Sequence, residues 1–127
     1  MSRELRLYLR DIVAAAEDIL RFTFDKSQSD YEQDRLLRRA VERSFEIIGE
    51  ALNQARNAYP LLKERIPEHN EIVLFRHRII HGYFVVDDQI VWSVVKIYLP
   101  PLLAEIKAFQ RELDGAGAAA PDGGERL

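Results

Sequence analysis

Apolar residues recur in this chain at steps of three and four over long stretches, and nowhere with the step of two that marks a strand. That periodicity restricts the chain to helices, each with one face that must be covered by another. The first stretch is expected from about Arg3 to Phe24, with Leu5, Leu9, Ile12, Val13, Ala16, Ile19 and Leu20 along one face. After the polar break Asp25 to Asp30, a second helix is expected from Tyr31 to Ala58, with Ser29 or Asp30 as its cap. Pro60 stops it, and Pro67 bounds the connection from Tyr59 to Ile66. A third helix starts near Glu68, buries Ile72, Phe75, Ile79 and Ile80, and ends at Gly82. Asp87 or Asp88 caps a fourth, which Pro100 and Pro101 must kink or break.

Helices of this length with short connections predict an all-α fold, an antiparallel bundle of four to five helices. A chain of 127 residues, 47% hydrophobic and 31% charged, supports one such core and not two. The domain is expected over residues 1–113. From Asp114 onward the small, aperiodic DGAGAAAPDGGERL reads as a disordered tail, 114–127.

Several classes of function are excluded or disfavoured by composition. With no cysteine there is no disulfide, no thiolate metal site and no thiol nucleophile. The N-terminus, MSRELRLYLRDIV, is too regularly charged for a signal peptide, and no uninterrupted apolar run reaches the length of a membrane span. The expectation is a cytoplasmic protein with no membrane partner. The net charge of −3 counts weakly against a nucleic-acid partner, since a local basic surface can coexist with an acidic whole.

Chemistry concentrates in Phe75-Arg76-His77-Arg78-Ile79-Ile80-His81-Gly82-Tyr83-Phe84. These residue types suit cleavage of an RNA phosphodiester. A histidine titrates near neutrality, so it can take the proton of a ribose 2′-hydroxyl or give one to the leaving oxygen. An arginine holds phosphate with paired donors and offsets charge developing in the transition state. A tyrosine donates to a phosphate oxygen or stacks on a base. On an ideal helix Arg76 and His81 differ by about 140° in direction, so spacing alone does not join them. A two-fold dimer would do so by setting one copy of the motif against the other.

Plainer readings exist for each group. Tyr83 and Phe84 can be core aromatics, which is the preferred reading for Phe84. Arg78 suits an exposed structural role as well as an RNA or antitoxin contact. His77 and His81 have the four-residue spacing of a zinc pair, but no glutamate completes the metalloprotease pattern, Arg78 repels a cation, and His69 is the sole further histidine. No metal and no cofactor are expected. Arg35, Arg39 and Arg43 run beside Glu42, Glu46 and Glu50, the pattern of a solvated ion-paired face more than of a phosphate track.

Arg76, four residues, His81, one residue, Tyr83 resembles the Arg-x4-His-x-Tyr motif of HEPN ribonucleases in the form found in HepT toxins. Ile48-Gly49-Glu50-Ala51, Ile66-Pro67, Asp87, Trp92 and Leu99-Pro100 are similar to that family's recurrent features, in the same order, over roughly Leu5 to Leu113. The resemblance implies a HEPN-like bundle acting as a homodimer, a metal-independent endoribonuclease with Arg76, His81 and Tyr83 catalytic in a cleft where two motifs meet. It further implies a toxin of a type VII toxin–antitoxin system, cutting transfer RNA or messenger RNA. Its partner would be a minimal nucleotidyltransferase antitoxin that silences it by AMPylation of Tyr83, with larger complexes left open. His77 departs from the family pattern, where asparagine is commonest, which puts the role of that position in doubt. The alternative is a non-catalytic helical subunit that positions substrate for a partner nucleotidyltransferase; a plain dimeric scaffold would leave the polar triad unexplained.

Overall fold

The computed structural model describes the backbone over residues 3–66 and 87–119, and side chains over 4–66 and 87–115. Every element among the described residues is helical, as the periodicity requires. Helix α1 spans Arg3–Phe22 and buries Leu5, Leu9, Ile12, Ala15, Ala16 and Ile19, all at helical spacing. Glu4 in its first turn and Arg21 in its last complement the helix dipole. No glycine ends it. Instead Thr23 turns both its N–H (3.0 Å) and its hydroxyl (2.7 Å) onto the Ile19 carbonyl. Asp25 then takes the left-handed conformation, with φ at 53°.

The expected second helix is in fact two. Helix α2, Gln28–Gln33, opens on a reciprocal capping box in which Ser27 Oγ accepts from the Asp30 N–H (3.1 Å) and Asp30 accepts from the Ser27 N–H (2.8 Å). Those bonds hold the Asp30 carboxyl below its ordinary value of 3.8, the Ser27 backbone N–H contributing most. A lowered pKa means that the box is fully formed above that ordinary value and is lost as the pH falls through the lowered one. Asp34 breaks the helix, leaving it at φ −112° and ψ 97°, and its carboxylate caps the next by accepting from the Leu37 N–H at 3.0 Å. The caps are therefore Ser27 and Asp34 and not Ser29 or Asp30, because an aspartate competes with the helix ladder for nearby backbone N–H groups.

Helix α3, Arg35–Ala58, buries Leu37, Val41, Phe45, Ile48, Ala51, Leu52 and Ala55, with Gly49 and Ser44 beside them. It ends at Tyr59, ahead of Pro60, as expected. A single turn, α4 (Leu62–Arg65), occupies the connection. The third expected helix, with Ile72, Phe75, Ile79 and Ile80, lies outside the described residues.

Asp87 caps α5 (Asp88–Ser93), its carboxylate accepting from the N–H groups of Gln89 (2.9 Å) and Ile90 (3.4 Å). The helix neither breaks nor stops at the two prolines. A π-turn, Val94–Tyr98, carries it into α6, Leu99–Ala119, and the Leu99 N–H reaches back five residues to the Val94 carbonyl. Two causes coincide there. Pro100 and Pro101 lack an N–H, and their rings crowd the carbonyls of Lys96 and Ile97 in an ordinary ladder. The buried positions Val91, Val95 and Leu99 also step by four twice, which overruns the α-period of about 3.6 and suits a widened turn.

The helical backbone continues to Ala119, beyond the Asp114 boundary at which the aperiodic composition begins. Asp114 itself is anchored, pairing with Arg6 at 2.6 Å. Within Asp88–Gly115 an 18-residue window is apolar enough, and the helix long enough, to cross a membrane by length and composition. Its sequence hides this because charges interrupt every run while the average stays high. In the bundle its apolar face is occupied: Val95, Leu99, Leu102, Ile106, Phe109 and Leu113 are buried.

Helices α1, α3 and α6 form the body. Arg6 with Asp114 at one end and Glu17 with Lys107 (2.9 Å) at the other show α1 and α6 running antiparallel. The buried residues of all these helices form one continuous cluster. Replacing the fully buried Leu52 by alanine is expected to cost about 3 kcal/mol, read by urea unfolding. Asp25→Gly is expected to hold or raise the melting temperature, and Asp25→Val to cost about 1 kcal/mol in the left-handed conformation.

Candidate functional site

The sequence-predicted site, Arg76, His81 and Tyr83 with the accessory His77 and Arg78, lies outside the described residues, as does the weighed His77–His81 metal pair. What the structure describes is the frame at both ends of that segment. On the entry side Ile66 is fully buried, and its N–H closes the α4 turn on the Leu62 carbonyl at 2.9 Å. Arg65 packs its guanidinium over the Phe109 ring (5.6 Å to the centroid) and pairs with Glu112. Tyr59 stacks on the same ring from the end of α3, centroids 5.6 Å apart. The chain therefore enters the motif segment from a point tied to both α3 and α6.

The exit side is tied to α2 and α3. Asp87 caps α5, and Asp88 lies 3.9 Å from Arg38 of α3. Trp92 meets Tyr31 of α2, ring centroids 5.6 Å apart, while Lys96 sits over the same indole at 4.8 Å. Ile66 and Asp87, the described residues that flank the motif segment, are thus both anchored on a single body.

Tyr31 is the unusual member of this frame. Its side chain is fully buried, yet its hydroxyl has no hydrogen-bond partner among the described residues. Burial pushes its pKa up, and the carboxylates of Glu42 and Asp88 push it further, against a smaller opposing effect of Arg38 and Arg39. The phenol is neutral at any ordinary pH, and its donor is unmet among the described residues. Sequence patterning placed Tyr31 at a helix start and gave no sign of this.

The arginine stripe resolves as an ion-paired face: Arg39 meets Glu42 at 3.0 Å and Arg43 meets Glu46 at 3.8 Å, while Gln54 donates to Glu50 at 3.1 Å. Arg39 and Arg43 are thus paired along their own helix, while Arg35 has no ion pair among the described residues.

Residues 12–109 match the family model described as Ribonuclease HepT-like, a span that includes the whole motif segment and both of its anchors. A Methanocaldococcus jannaschii protein named "Putative RNase MJ1380" is 33% identical over 84% of this chain and 96% of its own length. "Probable ribonuclease HepT" of Thermococcus cleftensis is 35% identical over 87% of this chain and all of its own. A second M. jannaschii protein, "Gamma-glutamylcyclotransferase and putative RNase MJ0434", is 35% identical over 90% of this chain, which spans 51% of that longer protein. No solved structure gives a significant match. Bundle and comparisons define an all-helical protein of ribonuclease type. This chain belongs to the HepT-like family.

Because the Tyr31 hydroxyl is buried without a partner among the described residues, Tyr31→Phe is expected to stabilise the protein by about 1 kcal/mol, measured by chemical unfolding. An equal loss would show that the hydroxyl is satisfied in solution.

Proposed function

We propose that this chain is a cytoplasmic HepT toxin, a metal-independent endoribonuclease that works as a homodimer and is restrained by a nucleotidyltransferase antitoxin. The observation that carries the reading is the family match across residues 12–109, within which Arg76, His81 and Tyr83 stand intact at the motif's spacing. The ribonuclease names of relatives covering nearly this whole chain support it.

In this reading His81 takes the proton of a ribose 2′-hydroxyl as the oxygen attacks the adjacent phosphorus. The bond from phosphorus to the 5′-oxygen breaks, and that oxygen takes a proton from a water molecule as it leaves, while His81 returns the 2′-hydroxyl's proton to solvent. One product ends in a 2′,3′-cyclic phosphate and the other begins with a 5′-hydroxyl. Arg76 grips the non-bridging oxygens with paired donors and stabilises the charge that grows on them. Tyr83 donates its phenolic proton to the same phosphate in a hydrogen bond. The partner's nucleotidyltransfer would join the α-phosphorus of ATP to the Tyr83 oxygen, releasing pyrophosphate. That modification removes the donor and places a negative phosphodiester where the substrate phosphate must sit, so repulsion and bulk both oppose RNA entry.

Purified unmodified protein, incubated with total RNA in EDTA, is expected to cleave it, while Arg76→Ala and His81→Ala fall by about a hundredfold or more. Fragments should accept a 5′-label from polynucleotide kinase without prior phosphatase treatment, and a 2′-deoxy substitution at the cut position should block cleavage. If none of the three proteins cleaves, with mass spectrometry confirming an unmodified Tyr83, the chain is instead a non-catalytic subunit that positions substrate for the nucleotidyltransferase.

A further inference from the structure

Away from the motif segment, a groove of about 700 Å³ runs between the first half of α1 and the stretch of α6 from Lys107 to Asp114. Its lining holds four cations, Arg6, Arg10, Lys107 and Arg111, and one carboxylate, Asp114, in a chain whose net charge is −3. The concentration of positive charge in one groove runs against the charge of the whole. Two of the cations are engaged: Arg6 bonds Asp114 and the Leu113 carbonyl (3.1 Å), and Lys107 pairs with Glu17. These pairs are half-exposed, with side-chain exposure of 42% for Arg6 and 41% for Lys107. Such pairs hold their partners weakly and can be exchanged.

Arg10 and Arg111 have no ion-pair or hydrogen-bond partner among the described residues, and both are exposed. Since α1 and α6 are antiparallel, with Arg6 opposite Asp114 and Glu17 opposite Lys107, Arg10 and Arg111 come to the same stretch of the groove from opposite banks. Two guanidiniums that line one groove, neither paired with a carboxylate among the described residues, favour an anion that both can reach. Along each bank the cations repeat every four residues, about 6 Å of helix, a step comparable to that between successive phosphates of an extended strand. Cations on both banks, repeated along each, suit a chain of charges better than a compact anion.

The geometry points to this groove as a binding track for the phosphodiester backbone of single-stranded RNA, with Arg10 and Arg111 as its principal contacts. The inference rests on the ribonuclease reading above and adds to it a substrate contact far in sequence from the motif. The acidic whole then limits nonspecific hold on RNA while the groove supplies the local attraction. Guanidiniums suit the role because they pair with phosphate oxygens through two donors at once.

The test uses the full chain, a fluorescein-labelled single-stranded RNA of mixed sequence with every 2′-hydroxyl methylated so that it cannot be cleaved, and fluorescence anisotropy across a salt series. Arg10→Ala/Arg111→Ala should raise Kd about tenfold and flatten the slope of log Kd against log salt by roughly 1.4, two phosphate contacts at about 0.7 each. Arg10→Lys/Arg111→Lys should retain most of the slope. Both positions are exposed, so the melting temperature should stay put, and cleavage of a dinucleotide substrate too short to span the groove should be unchanged. Unchanged RNA affinity and salt slope in the alanine variant, with wild-type cleavage intact, overturns the groove and leaves the ribonuclease reading standing. Wild-type protein that neither binds nor cleaves RNA overturns both. Loss of polyglutamate binding with RNA affinity unaltered would reassign the groove to an acidic protein segment and overturn the proposal.

Discussion

The whole bundle depends on the burial of one long apolar face, that of α1, between α3 and α6. Leu9, Ile12, Ala16 and Ile19 are wholly removed from solvent, as are Phe45, Ile48 and Leu52 on α3 and Leu99, Leu102 and Ile106 on α6. None of these helices could hide its own stripe alone, and isolated helices of such length are marginal in water. The loops and short turns are therefore secondary: they fix the direction in which each helix returns, while the shared core decides that it stays. Single-helix propensity plays little part, since α6 carries two prolines within its first three residues and still forms.

That core has a second effect at its rim. The elements on either side of the motif segment differ, a single turn in α4 and, in α5, the first six residues of a helix that continues into α6. Each is fastened by aromatic contacts to neighbouring helices: Arg65 and Tyr59 on Phe109, Trp92 on Tyr31. The Tyr31 hydroxyl, buried and without a partner among the described residues, lies in one of these fastenings.

Much of the fold was legible because a helix repeats its exposure every three or four residues. The apolar positions of α1 and α3, the stop before Pro60, the Asp87 cap and the paired face of Arg39, Arg43, Glu42 and Glu46 all come from that period and from side-chain chemistry. What escaped it was geometry with no periodic signature. Asp34 fits an uninterrupted polar face as well as it fits a break, so α2 and α3 read as one helix. The π-turn requires knowing that three buried residues step by four, which matters only once their common face is known. The meeting of Arg10 with Arg111 across a groove could not be read, since their helices meet only in space. The motif's residue types were readable in order, and the family match supports their span independently; the roles of Arg76, His81 and Tyr83 rest on chemistry and resemblance.

The π-turn at Val94–Tyr98 also sets an angular phase. One residue more than an α-turn needs is accommodated there, so the part of the helix nearer Asp87 is rotated relative to the part embedded in the core by about 100°, the angle one residue subtends. Were the ladder to relax into uniform α-helix, Leu99 to Leu113 could keep their seats only if Trp92 and the Asp87 cap swung away from α2. The turn behaves as a fixed gear between the core and the end of the chain segment that carries the motif. A sequence change of a single inserted or deleted residue within it would leave the bundle's composition untouched and re-aim that end.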